Sequence, residues 1–137
     1  MIKIMSKSHI YKLKVFVEDV DFGRVFYSRY LQYIERARTE FLRGVGYEQM
    51  KLMKEGIIFV VRSLELKLLK PARLDDEILI STRLDKLGKV SFNFAQEAFL
   101  DDQLISEAYI KCGSLDSHSF TPSSLPEYLH KGMKKLL

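Results

Sequence analysis

The chain is predicted to fold as an α+β protein in which one long helix lies across a single antiparallel sheet. Three features predict this. Apolar residues recur at helical spacing over only one long stretch, at Tyr30, Tyr33, Ile34, Ala37, Phe41, Leu42 and Val45. From Ile57 onward the chain reads as strands, with the period changing to two. The strand-like runs are joined by tight turns, and short connections favour antiparallel pairing. A sheet of four or five strands must cover its apolar face, and that helix is the only element large enough to do so.

The elements follow in order. His9–Val17 (HIYKLKVFV) alternates roughly and ends in β-branched and aromatic residues, so it reads as a strand. A short acidic loop, Glu18-Asp19-Val20-Asp21, then runs to Phe22-Gly23. Ser28 is the expected cap of the long helix. Arg36, Thr39, Glu40 and Arg43 fall mostly on its polar side, and Gly44 and Gly46 stop it. A second short helix is expected over Tyr47–Lys54, ending at Gly56. The run from Ile57 to Lys70 is a strand with Leu64, Leu66 and Leu68 on one face, broken by Pro71 and turned over Ala72–Asp76. Glu77–Leu87 is the next strand, with Gly88 at a tight connection. Lys89–Leu100 alternates through Val90, Phe92, Phe94 and Gln96. Asp101-Asp102-Gln103 makes a turn, Leu104–Leu115 is a strand, Ser117–Pro126 is a polar loop, and Leu125–Leu137 holds a short terminal helix.

Bulk composition sets the bounds. The 137 residues are expected to form one domain. A 47% hydrophobic content allows a real core without disulfide staples. A net charge of +4 suits an anionic small ligand, whereas no basic stripe interleaves with aromatics to suggest nucleic acid. The one cysteine, Cys112, excludes an internal disulfide and reads as a buried structural thiol. The start, MIKIMSKSHI, lacks the apolar core of a signal peptide, and Ile57–Val61 is too short to span a bilayer, so a cytoplasmic protein is expected.

Strong chemical signatures are few. His9, His118 and His130 are scattered surface or loop residues without ligand spacing, so no metal site is expected. There is no Gly-rich phosphate loop and no G-x-S-x-G. What remains is the carboxylate group Glu18, Asp19 and Asp21 ahead of the long helix. Acidic residues in that place commonly serve the helix dipole. They also stand where a reacting carbonyl would meet unpaired backbone N–H groups.

The stretch EDVDFGRVFYSRYLQYIERARTEFLR resembles the hotdog-fold acyl-CoA thioesterases of the 4-hydroxybenzoyl-CoA thioesterase family. It is similar in particular to the branch associated with the Tol–Pal envelope system, which carries an E-D-T-D loop, a glycine, V-Y-H, then Y-x-x-[YF]-x-E-R-A-R. The likeness continues through Phe59-Val60-Val61-Arg62, Pro71-Ala72-Arg73-Leu74-Asp75-Asp76 and Leu125-Pro126, and so covers nearly the whole chain. The resemblance implies a hotdog fold, with the sheet wrapped around the helix and active sites at a subunit interface of a homodimer or homotetramer. It implies an acyl-CoA substrate, with acyl carrier protein as a further partner to consider, and no cofactor. The second aspartate of the D-x-D loop lands on Asp21, as nucleophile or as general base on water. The family pattern assigns the oxyanion-binding backbone N–H to Tyr27; losing such a donor typically costs about 3 kcal/mol in the barrier. Gly23 and Tyr30 are candidate substrate contacts, Val60 and Val61 candidate walls of the acyl pocket, and Lys86 and Lys89 candidate partners of CoA phosphates. Glu35 and Arg38 read as an ion pair on the helix or a pair at the interface rather than as catalysts, and Arg62 and Arg73 as structural or interface residues.

This chain departs from the pattern at one place. The family has two residues between the aspartate and the glycine, and here only Phe22 stands there. Where the branch has V-Y-H, this chain has Val25-Phe26-Tyr27. With the gap before Gly23, Tyr27 takes the histidine position; with the gap after it, Tyr27 takes the tyrosine position and Ser28 the histidine position. A non-catalytic module that binds acyl-CoA or acyl carrier protein is therefore the alternative to a thioesterase. A hydratase on the same fold would need a histidine shortly after the aspartate, and none lies between Phe22 and Tyr30.

Overall fold

The computed structural model describes residues 7–137. Residues 1–6, part of the segment weighed above as a leader, lie outside the described residues. Five long strands form one sheet: β1 (His9–Lys14), β4 (Ile57–Leu68), β5 (Glu77–Leu87), β6 (Ser91–Leu100) and β7 (Gln103–Asp116). Their spatial order is β1-β5-β6-β7-β4, and every adjacent pair is antiparallel. Two further strands of two residues each, β2 (Val20–Asp21) and β3 (Arg24–Val25), make a separate small hairpin. The helices are α1 (Tyr27–Gly44), α2 (Gln49–Lys54) and α3 (Glu127–Lys134). This is the α+β hotdog architecture expected, with five strands in the main sheet.

α1 lies against the inner face of the sheet. Tyr30, Tyr33, Ile34, Ala37, Phe41 and Leu42 of the expected apolar stripe are buried, whereas Val45 lies past the helix end and is exposed. They join one core with Ile78, Ile80, Phe92, Phe94, Ala98 and Ile110 from alternating positions of the strands. The Phe41 and Phe94 rings meet edge-on, with centroids 5.7 Å apart. Register shifts between Val61 and Ser63, Leu84 and Lys86, and Ala98 and Phe99 interrupt the ladders. Each such bulge adds local twist, which curls a sheet around what it covers.

A polar contact pins the helix within this apolar layer. The Gln96 carboxamide donates to the Ile34 carbonyl and to the Thr82 hydroxyl, both at 2.9 Å. Its oxygen accepts from the Arg38 guanidinium at 2.9 Å. Arg38 is only 7% exposed, and its other arm meets Glu35. The buried cation is thus paired and hydrogen-bonded, the condition under which burial of charge is tolerated. The expected Glu35–Arg38 ion pair is present, with the added function of tying α1 to β6.

Several boundaries differ from expectation for local reasons. β1 ends at Lys14 rather than Val17, because Phe16 to Asp19 close a tight turn. α1 begins one residue ahead of Ser28, so Ser28 is not its cap. α2 begins at Gln49 rather than Tyr47. Of the leucine face on β4, Leu66 packs partly on the core while Leu64 and Leu68 remain exposed, since β4 is a sheet edge. His9 lies on β1 with its ring edge against Phe41, and is not a surface or loop histidine. Cys112 is buried on β7, and burial pushes its thiol pKa up to about 11, in keeping with a structural role. Among the described residues, no helix is long and apolar enough to cross a membrane.

Replacing Gln96 by leucine removes the acceptor for Arg38 and the donor to Ile34 and Thr82 at nearly constant volume. The expected loss is about 3 kcal/mol of unfolding free energy in urea titration, because a charged group loses its buried partner.

Candidate active site

The segment between β1 and α1 is built around Asp19. Its backbone N–H donates to the Phe16 carbonyl at 2.9 Å, and its carboxylate accepts the Phe16 N–H at 3.0 Å. Its backbone carbonyl accepts the Phe26 N–H at 3.0 Å. The carboxylate is buried, with the Arg29 Nε 3.9 Å away. The buried Tyr33 hydroxyl has no partner at hydrogen-bonding geometry, and the Asp19 carboxylate is the acceptor it faces. Burial first, and that carboxylate second, raise the Tyr33 pKa far above its usual value and keep the phenol protonated. One residue thus joins the turn at 16–19 to the start of α1, through Phe26 and Arg29. The sequence marked Asp19 only as one of three acids; its spacing of three from Phe16 was the available sign.

Beyond Asp19 the chain makes the β2–β3 hairpin. Val20 pairs with Val25, and Asp21 with Arg24, leaving Phe22 and Gly23 as a two-residue turn. Both have positive φ, 53° and 81°, as a type I′ hairpin turn requires. Glycine takes that conformation freely, whereas for phenylalanine it costs about 1 kcal/mol or more. The single residue between Asp21 and Gly23 therefore has a structural counterpart: the shortened loop closes as the tightest hairpin. Asp21 is exposed on one arm of it.

The hairpin delivers the chain directly into α1. The Val25 N–H donates to the Ala72 carbonyl at 2.8 Å, and the Ala72 N–H donates to the Tyr30 hydroxyl at 3.1 Å. These bonds join α1 to the turn after β4. Phe26 is the cap residue, and no side chain caps the helix. The Tyr27 and Ser28 N–H groups consequently have no acceptor in the chain among the described residues. A helix start normally satisfies such donors with a side chain or solvent. Here they open on a cleft of about 410 Å³. Its lining includes Asp21, Phe22, Phe26, Tyr27 and Tyr30 from the hairpin and helix start, and Leu68, Leu69, Lys70 and Pro71 from the end of β4 and the turn after it.

Asp21, Tyr27 and Tyr30 thus meet in one cleft. Tyr30 is almost wholly buried and spends its hydroxyl on Ala72, so its part in the site is as wall and brace. Gly23 sits at the hairpin tip and does not line the cleft. Val60 and Val61 lie on β4, opposite Gly113 and Cys112, and are not among the cleft residues. Val61 instead borders a void of about 30 Å³ with Glu35, Arg38 and Phe92. Lys86 and Lys89 are exposed at the β5–β6 turn. That turn is ten residues along β5 from Glu77, roughly 30 Å of strand from the cleft end of the sheet. Within one chain, then, the expected site is divided between two ends of the sheet.

A second cleft, of about 440 Å³, lies over Arg83, Glu97, Glu107 and Tyr109 and includes neither Asp21 nor Tyr27. The Tyr109 hydroxyl, and then the Arg83 guanidinium, hold Asp85 beside it below the usual carboxylate range. Among the described residues, no group of three or more His, Cys, Asp or Glu side chains could hold a metal ion.

Residues 22–107 match the model of the thioesterase superfamily, beginning one residue after Asp21. The chain belongs to the thioesterase superfamily. It is 32% identical to the acyl-CoA thioesterase YbgC of Haemophilus influenzae over 90% of this chain and 93% of that protein. It is 36% identical to the acyl-CoA thioester hydrolase YbgC of Escherichia coli O6:H1 over 84% of this chain and 87% of that one. A probable thioesterase from Bartonella henselae superposes with a TM-score of 0.81 at 31% identity, over 87% of this chain and 99% of that chain.

If Asp19 holds this segment together, Asp19→Ala releases the Phe16 N–H and the Arg29 contact at once. The expected loss is on the order of 2 kcal/mol in urea unfolding. Faster amide exchange at residues 16–26 than in the sheet is expected in the same variant.

Proposed function

We propose that this chain hydrolyses acyl-CoA thioesters to a free acid and CoA, with Asp21 as the essential carboxylate. One observation carries the reading: an exposed aspartate and an uncapped helix start line the same cleft. The thioester carbonyl sits between them. Its oxygen accepts from the Tyr27 N–H, where the helix dipole favours developing negative charge. Asp21 acts on the other side. As a nucleophile it attacks the carbonyl carbon, the C–S bond breaks, CoA leaves as thiolate, and water then hydrolyses the mixed anhydride. As a general base it takes a proton from water, which attacks the same carbon and expels the same thiolate. Both routes need the carboxylate ionised and the oxyanion held, and neither asks for an imidazole. The acyl-CoA activity named for the relatives from Haemophilus and Escherichia supports CoA as the carrier here.

The working unit is a dimer joined through β4. That strand is a sheet edge of twelve residues, with Val61, Leu64 and Leu68 exposed along it. A second copy pairing antiparallel along this edge removes the open ladder and buries those side chains. Two-fold pairing sets the Leu68 end of one strand beside the Ile57 end of the other. Each cleft then faces the end of the second copy that carries Val60, Val61 and the Lys86–Lys89 turn. This reunites the residues that one chain keeps apart, with the lysines available to the CoA phosphates.

Asp21→Asn should abolish thiol release from acyl-CoA, with a loss of at least about a hundredfold on the scale of acid–base contributions, while circular dichroism and Tm stay those of the parent. An asparagine variant as active as the parent ends the assignment. Leu64→Glu places a charge on the free edge of β4 and should convert the dimer to a monomer by light scattering. Thiol release should fall with it, although Asp21 and the helix start are untouched.

A further inference from the structure

Phe22 stands out as the side chain that the fold itself leaves unused. It is 95% exposed, more than any other large apolar side chain among the described residues. It occupies the first central position of a hairpin turn at φ 53°, where a phenylalanine is strained and glycine or asparagine would sit without strain. Nevertheless it lines the Asp21 cleft together with Leu68 and Leu69. Folding thus gains little from the ring, and the hairpin is less stable for holding it. Local strain of this kind at a site points to a role in ligand contact.

We infer that Phe22 is a specificity-determining contact for the acyl chain of the substrate, closing over it as the thioester enters between Asp21 and the start of α1. The inference rests on the thioesterase reading and deepens it. Phe22 follows directly on the carboxylate that the proposed reaction sets against the carbonyl carbon and lines the same cleft, so its ring is available to the acyl atoms beside that carbon. The cationic groups of the cleft, Arg24 and Lys70, add to the Lys86–Lys89 turn of the second copy in suiting the anionic carrier, and the apolar ones, Phe22, Phe26, Leu68 and Leu69, suit hydrocarbon. Covering the acyl chain takes the ring out of water and makes the exposed position favourable only when substrate is present.

The chain has no tryptophan, so Phe22→Trp installs a single fluorophore at the contact. Titration with a non-hydrolysable S-alkyl CoA thioether should shift its emission to the blue, and CoA alone should not. No shift with the thioether, or an equal shift with CoA, overturns the inference. In parallel, Phe22→Ser should raise KM for medium-chain acyl-CoA about tenfold relative to acetyl-CoA, a difference of about 1.4 kcal/mol, with kcat nearly constant and subunit mass unchanged. Phe22→Gly should raise Tm by relieving the strained φ while showing the same KM defect. Unaltered chain-length selectivity in a serine variant of an active parent overturns the contact, as does loss of the dimer, which would assign the ring to the second copy. A parent that releases no thiol from any acyl-CoA sinks the thioesterase reading instead, and the tryptophan titration still decides the contact.

Discussion

The buried carboxamide of Gln96 fixes how α1 lies on the sheet, and the position of every other element follows from that. An apolar interface alone would let a helix slide or rotate by a turn at modest energy, since hydrophobic contact is non-directional. Gln96 removes that freedom, because its three partners come from the helix backbone, a helix side chain and the neighbouring strand. Any other register strands a buried cation or leaves buried polar groups unpaired. With the middle of α1 fixed, its first turn is placed to within the stiffness of a helix.

That placement matters because the helix start and the carboxylate arrive by different routes. The start of α1 is held from the sheet side, through Tyr30 and Ala72 at the turn after β4. The carboxylate is held from the β1 side, through Asp19 and the hairpin. The Phe26 N–H bond to the Asp19 carbonyl is where the two routes meet. The two aspartates therefore divide the work: the buried one organises backbone, and the exposed one is left free at the cleft. Their difference in environment comes from hairpin geometry and not from residue type.

Much of the fold could be read in the chain. Tyr30, Tyr33, Ile34, Ala37, Phe41 and Leu42 have one periodicity and one burial, and β5 runs over the residues expected of it. The errors cluster where tertiary bonds override local preference. Ser28 looked like a cap because serine is a good one, but hairpin closure delivers the chain to helical geometry a residue earlier. Phe16 and Val17 looked like strand because they are aromatic and β-branched, yet Asp19 bends them away. The candidate site was legible as a short acidic segment before a helix. That it lies far from Lys86 and Lys89 in one chain was not, since no local pattern reports which end of a sheet a turn occupies.

The open edge of β4 has a further meaning for how this protein comes into being. Its twelve residues pair with β7 on one side only, and the outward side, with Val61, Leu64 and Leu68 exposed along the strand, forms an adhesive border. A freshly made copy presents that border to any extended segment nearby, matched or not. Under the proposed dimer, how fast a matching copy arrives decides between assembly and precipitation, so solubility would depend on encounter rate as much as on the folded state. In such a dimer, dilution favours separate chains with the border exposed, and so becomes a stress in itself.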